Sequence, residues 1–98
     1  MRLDKWLKLS RVIKRRTVAQ MACEQGRVFL NDRTGKSSST IKPGDRIHIG
    51  LGSRALTLEV AELPLKAPPA QEASKLYIIV EEIKRPRQDP EFKDSDWD

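Results

Sequence analysis

Between Leu3 and Ile13 the apolar residues Leu3, Trp6, Leu7, Leu9, Val12 and Ile13 recur at spacings of three and four. That period is the one of an amphipathic helix. On a helical wheel Leu3, Trp6, Leu9 and Ile13 fall on one side, and Lys5, Lys8, Arg11 and Arg15 on the other. Thr17 and Gln20 have the spacing of a capping box, which predicts a second helix from Thr17. Val18, Ala19, Met21, Ala22 and Cys23 give that helix a small-residue packing surface, and Gly26 suits a left-handed cap. The first helix then stops near Ser10, and residues 11–16 form a basic corner between the two.

After Gly26 the period changes to two. "RVFLND" (27–32) reads as a short strand with a turn beginning at Asn31 and Asp32. "KPGD" (42–45) is a turn, with Pro fixing φ at its second position and Gly allowing positive φ at its third. Ile47, Ile49 and Leu51 alternate in a second strand, and Leu56, Leu58 and Val60 in a third. Residues 64–74 contain three prolines and read as a loop. "KLYIIVEEI" follows as a last strand, expected to be the more buried because both its faces are apolar. From Pro86, "PRQDPEFKDSDWD" has five acidic residues against one Lys and one Arg and no periodicity, a disorder-like composition. The expected architecture is α+β: two short N-terminal helices packed on a small, mostly antiparallel sheet over 1–85, with a disordered acidic tail over 86–98.

Composition sharpens this in one respect, the placement of charge. Residues 1–49 hold 12 Lys and Arg against 4 Asp and Glu, whereas residues 50–98 hold 7 against 10. A cationic N-terminal half is what a nucleic-acid footprint looks like; a merely solubilising surface mixes its signs. The 98 residues suit one domain. No stretch is apolar enough to cross a membrane, and Lys5, Lys8 and Arg11 interrupt any signal-like block, so a cytoplasmic protein is expected.

Candidate chemistry is sparse. The single cysteine, Cys23, sits among apolar helix positions, and with the single histidine, His48, it makes no zinc pattern. His48 alternates with Ile47 and Ile49, so it faces solvent or RNA from a strand and has no nucleophile beside it. "GLGSR" (50–54) lacks the Lys-Ser/Thr ending of a phosphate loop. No catalytic, metal or cofactor site is expected. The basic run remains, and its residues Arg2, Lys5, Lys8, Arg11, Lys14, Arg15 and Arg16 are the candidate RNA-binding set. Arg offers a planar fork to phosphate oxygens, and Lys a mobile point charge. With only Trp6 and Phe29 as aromatic residues near the run, a folded RNA read by shape and backbone fits better than stacking on splayed bases.

These residues also carry a resemblance. "RLDKWL", the "SRVIK" stretch before the second helix, the "GRVFLN" strand and the "KPGDRI" turn resemble the αL RNA-binding domain first described in ribosomal protein S-four. Residues 1–63, and more loosely 72–82, are similar to its small stand-alone members, the RqcP-type ribosome-quality-control factors, relatives of the fifteen-kilodalton heat-shock proteins. The resemblance implies a non-catalytic factor that binds the large ribosomal subunit obstructed by peptidyl-tRNA and contacts both rRNA and tRNA. It also implies support, with a NEMF-family tailing factor, for C-terminal alanine tailing of stalled nascent chains. By the same resemblance Arg2 and Arg16 are functional basic positions, Lys14 and Arg15 flank them, and Asp4 is placed to orient neighbouring Arg side chains. The alternative is an rRNA-binding ribosome-assembly or heat-shock factor that recycles free large subunits. Its heat-shock relatives continue into a basic extension, whereas this chain ends acidic, which favours quality control. A monomer is expected, and Asp94, Asp96 and Asp98 are expected to compete weakly with RNA for the basic face.

Overall fold

The computed structural model describes residues 1–86 and 92–97. Helices α1 (Leu3–Leu9) and α2 (Arg16–Glu24) precede strands β1 (Val28–Leu30), β2 (Arg33–Thr34), β3 (Arg46–Leu51), β4 (Arg54–Val60) and β5 (Tyr77–Lys84). The strands form one antiparallel sheet in the order β2-β1-β3-β4-β5. The α+β class and the two-helix, one-sheet plan expected from the periodicities both hold.

At seven residues α1 is too short to persist alone in water, so burial must hold it. Leu3, Trp6 and Leu7 are fully buried, and with Val12, Ile13, Ala19 and Ala22 they meet Val28, Ile47, Ile49, Leu51, Leu56, Leu58 and Val60 in one core. Each large side chain removed from water contributes roughly 1.5–3 kcal/mol. The Trp6 indole satisfies its one donor on the Glu62 carbonyl at 3.0 Å, so its burial leaves no orphan N–H. The helices cover one face of the sheet.

Turn chemistry sets the register. Asn31 (φ 50°) and Asp32 (φ 68°) both take positive φ, as the tight β1–β2 hairpin needs, and Gly44 (φ 94°) closes the 42–45 turn. Asp45, buried, joins the two turns: its carboxylate accepts from Asn31 Nδ2 at 3.0 Å and from the Lys42 amide at 2.9 Å.

Four features differ from expectation. Helix α2 starts at Arg16, with no side-chain hydrogen bond capping it, so the Thr17–Gln20 capping box does not form. Gln20 instead donates to Asp4 at 2.9 Å, because a buried carboxylate is the stronger acceptor. The proline-rich stretch contains a 3₁₀ segment, Ala70–Leu76, that buries Ala73 and Leu76. Strand β5 is an edge strand and largely exposed, with Ile78, Ile79, Val80 and Ile83 between 44% and 55% accessible, and not the buried strand its apolar run predicts. Among the described residues no strand pairs beyond β5, and a β-bulge between Thr57 and Leu58 interrupts its register.

The fourth difference concerns the tail. Residues 92–97 pack on the core, where composition predicts disorder over 86–98; of that tail, residues 87–91 and 98 lie outside the described residues. Phe92 is 1% and Trp97 6% exposed, and the Trp97 indole donates to the Leu51 carbonyl at 3.2 Å. Two large aromatics bury enough surface to hold a short acidic segment, which an average over its composition cannot register.

Candidate nucleic-acid interface

The basic residues leave the core in a fixed order. Lys5 and Lys8 stand exposed on α1, whose buried side carries Leu3, Trp6 and Leu7. After Ser10 caps α1, Arg11 takes φ 60°, the left-handed conformation that glycine usually supplies, and its amide bonds the Lys8 carbonyl at 3.0 Å. The chain turns there, sends Val12 and Ile13 into the core, and leaves Lys14, Arg15 and Arg16 exposed at the entry to α2. All seven candidate residues are exposed, and the corner has the geometry expected of it.

The corner is tied together from inside by one carboxylate. Asp4, in the first turn of α1, has no accessible side-chain surface. Its oxygens accept from Arg2 Nε at 3.2 Å and Nη2 at 3.3 Å, from Gln20 Nε2 at 2.9 Å, and from the Lys5 amide at 2.8 Å. Arg16 reaches the same group, with Nε 3.2 Å from Oδ2 and Nη2 3.4 Å from Oδ1. Burial alone would raise the Asp4 pKa; the hydrogen bonds from Gln20, Arg16, Arg2 and the Lys5 amide outweigh it and hold the carboxyl below its ordinary 3.8. The group is therefore an anion at neutral pH. It orients two guanidinium groups from different elements, Arg2 and Arg16, which remain 49% and 42% exposed. Asp4 thus has the orienting geometry expected of it.

The corner is also held from outside. The Lys14 amide donates to the Asp96 carbonyl at 3.0 Å, and Ile13 forms an isolated antiparallel bridge with Trp97. Lys14 and Arg15 line a polar groove of about 340 Å³ with Lys93, Ser95 and Asp96. Lys93 is thus a further cation beside the corner, which sequence reasoning left in the acidic tail. The buried side chains of Phe92 and Trp97 bring the segment back to the corner. Of the acids expected to compete with RNA, Asp96 borders this groove; the Asp94 side chain and Asp98 lie outside the described structure.

The remaining polar candidates offer no chemistry at this surface. Cys23 is buried, and its thiol is pushed up to about 11 by burial and by the charges of Asp4 and Glu24, so it stays protonated. Among the described residues no group of His, Cys, Asp and Glu could hold a metal ion, and no helix is long and apolar enough to cross a membrane.

Comparison with known proteins gives this basic corner a context. Residues 1–47, which hold the corner and Asp4, match the S4 domain model. The chain is 44% identical over 84 residues to the RQC P-site tRNA stabilizing factor of Bacillus subtilis (strain 168), covering 86% of this chain and 96% of that one. The chain belongs to the family of RQC P-site tRNA stabilizing factors. The Halalkalibacterium halodurans member is 43% identical over 82 residues, covering 84% of this chain and 92% of its own. The fold also matches the solved structure of Vibrio cholerae heat shock protein 15, described as trimeric, with a TM-score of 0.76 and 31% identity over 82% of this chain and 81% of that one. The stabilizing-factor family and the heat-shock protein thus share one S4-type plan with this chain.

Proposed function

We propose that this chain is a non-catalytic, cytoplasmic RNA-binding factor of ribosome quality control. It binds the large ribosomal subunit obstructed by peptidyl-tRNA and contacts rRNA and tRNA through Arg2, Lys5, Lys8, Arg11, Lys14, Arg15 and Arg16. With a NEMF-family tailing factor it supports C-terminal alanine tailing of stalled nascent chains. The observation that carries the reading is the Asp4 cluster: two half-exposed Arg side chains are held in place by a buried anion, ready to meet phosphates. The name of the relatives, RQC P-site tRNA stabilizing factor, supports the quality-control setting and the tRNA.

The double variant Arg2→Ala/Arg16→Ala tests the site. It should lose co-sedimentation with obstructed large subunits while keeping its circular dichroism spectrum, since Asp4 retains the Gln20 and Lys5 hydrogen bonds. A double variant that sediments like the parent removes the site assignment. The second reading is an rRNA-binding assembly or heat-shock factor that recycles free large subunits, favoured by the likeness to heat shock protein 15. Recovery of peptidyl-tRNA with the protein purified from cells separates the two. A monomer is the proposed working state. The trimer described for the Vibrio relative makes a mass measurement at working concentration the check.

A further inference from the structure

The sheet face turned away from the helices carries an aromatic pair that the corner does not use. Ile47, Ile49 and Leu51 of β3 point into the core, so Arg46, His48 and Gly50 point outward. On β1 the buried neighbour Val28 leaves Phe29 outward, directly across the ladder from His48. Their ring centroids lie 6.2 Å apart at 49°, and Phe29 is 38% exposed. A hydrogen bond of 2.7 Å between His48 Nδ1 and Thr57 Oγ1 fixes the imidazole from the β4 side.

Shallow depressions flank the pair, and each includes arginine. One, of about 200 Å³, is lined by Phe29, His48, Thr57, Arg46, Ile47 and Asp32. The other, of about 140 Å³, is lined by Phe29, His48, Gly26, Arg27, Gly50 and Arg85. Gly50 leaves room there: a Cβ on it would sit 3.1 Å from Nη2 and 3.2 Å from Cζ of Arg85, so the guanidinium that lies over the strand would have to shift slightly. The acidic groups on this face are Asp32 in the first depression, Glu59 directly across the ladder from Arg46, and Glu81 across from Thr57 on the same rung as the rings. The second depression is lined by Arg27 and Arg85 and by no acidic residue among the described ones.

We propose that Phe29 and His48 form a second RNA-contacting site that stacks an unpaired nucleobase, with Arg46 on one side and Arg27 and Arg85 on the other placed for the flanking phosphates. Every base has a π-face, so such a platform is tolerant of sequence, and guanidinium groups supply the electrostatic track. The site lies on the opposite side of the sheet from α1 and α2. A chain with both surfaces can hold a folded RNA at the corner and an unpaired segment across the sheet at once. The proposal rests on the RNA-binding reading of the corner but uses none of its residues.

The test uses a ten-nucleotide oligouridylate, which is unpaired, with fluorescence anisotropy as the readout. Phe29→Leu keeps an apolar side chain of similar size and should weaken binding roughly five- to a hundredfold, while Phe29→Tyr retains it. Phe29→Trp should show emission quenched by the oligomer, against the buried background of Trp6 and Trp97. Arg2→Ala/Arg16→Ala should leave that quenching in place. Circular dichroism melts establish that each variant is folded. A parent protein that leaves the oligomer unbound at millimolar concentration, or a folded Phe29→Leu variant that binds it as well as the parent, overturns the proposal. That result leaves the corner untouched, since large-subunit co-sedimentation reads the corner separately. Loss of sedimentation only in the Arg2/Arg16 variant, together with loss of oligomer binding only in Phe29→Leu, supports both sites.

Discussion

Replacing Asp4 by Asn changes one atom type at the centre of the basic corner, and its consequences can be worked out from the hydrogen bonds. Asp4 now offers one oxygen to the Lys5 amide at 2.8 Å and the other to Gln20 Nε2 at 2.9 Å, with Arg2 and Arg16 on both. Asparagine keeps one acceptor oxygen and turns an NH₂ donor toward donors. One charge-assisted bond is lost, about 1.5–3 kcal/mol, and a buried donor is left opposed, about 1–3 kcal/mol. The Arg contacts, half-exposed and screened by water, add little. A total of about 2.5–6 kcal/mol follows, and for a domain of this size that is a fall in Tm of roughly 10–50 °C.

The same substitution has a pH signature and an RNA signature. Because the Asp4 pKa in the fold lies below its ordinary 3.8, its contribution is fully present above that value and is lost as pH falls through the folded pKa. The stability gap between parent and Asp4→Asn should therefore be constant from neutral pH down to about pH 5 and narrow below about pH 4. For RNA two terms oppose. Removing an anion near the phosphates helps by less than about 1 kcal/mol in a solvated setting. Releasing two held Arg side chains costs about 0.5–1.5 kcal/mol each on binding. The net is about 1 kcal/mol, or roughly fivefold weaker binding, with an unchanged salt slope because no cation is removed. Chemical denaturation across pH and anisotropy titrations of a structured rRNA fragment measure both. A variant as stable as the parent, or one that binds RNA more tightly at every salt concentration, refutes the orienting role of Asp4.

Three further outcomes are expected. Trp97→Ala removes a nearly buried indole and its bond to Leu51, and should cost about 3–5 kcal/mol if the segment stays docked, less if it detaches; protection of the Lys14 amide from hydrogen exchange, which depends on Asp96, tells the two apart. Asp96→Asn keeps the acceptor that caps the Lys93 amide but removes the charge in the groove with Lys14 and Arg15, so RNA binding at low salt should tighten by less than about tenfold and the gain should vanish at high salt. Ile78→Thr on exposed β5 should lower the free energy of unfolding, measured by chemical denaturation, by less than about 1 kcal/mol, which a buried last strand would not allow.

How far the sequence could be read depended on whether the signal was local. The periods of three-to-four and two along residues 3–13, 46–51 and 54–60 report burial directly, and α1, β3 and β4 appear where they predict. Strand β5 escapes that rule, because an apolar run does not reveal whether another layer packs on its faces. Within the candidate site, the cationic residues and the direction of Val12 and Ile13 were readable from position alone. The partner of Gln20 was not: capping-box spacing is a local rule, and a buried carboxylate 16 residues away competes for the same side chain. Lys93 was hidden in the same way, since only tertiary packing of Phe92 and Trp97 returns it to the corner.

That packing has a consequence for how stability and function are joined in this chain. The basic corner has little regular structure of its own: Arg11 occupies a left-handed conformation, and the Lys14 amide has its partner in Asp96, far away in sequence. Its shape is therefore imposed from two sides, by Asp4 gathering Arg2 and Arg16 from within and by residues 92–97 bridging Ile13 and Lys14 from outside. A binding surface built this way is preorganised, which lowers the entropic cost of meeting phosphates. It also means that a mutation in the C-terminal segment, far from any candidate RNA contact by sequence, acts on the corner through the Lys14 amide before it acts on the fold as a whole. Trp97→Ala should accordingly weaken RNA binding under conditions where the circular dichroism of the domain is still that of the parent.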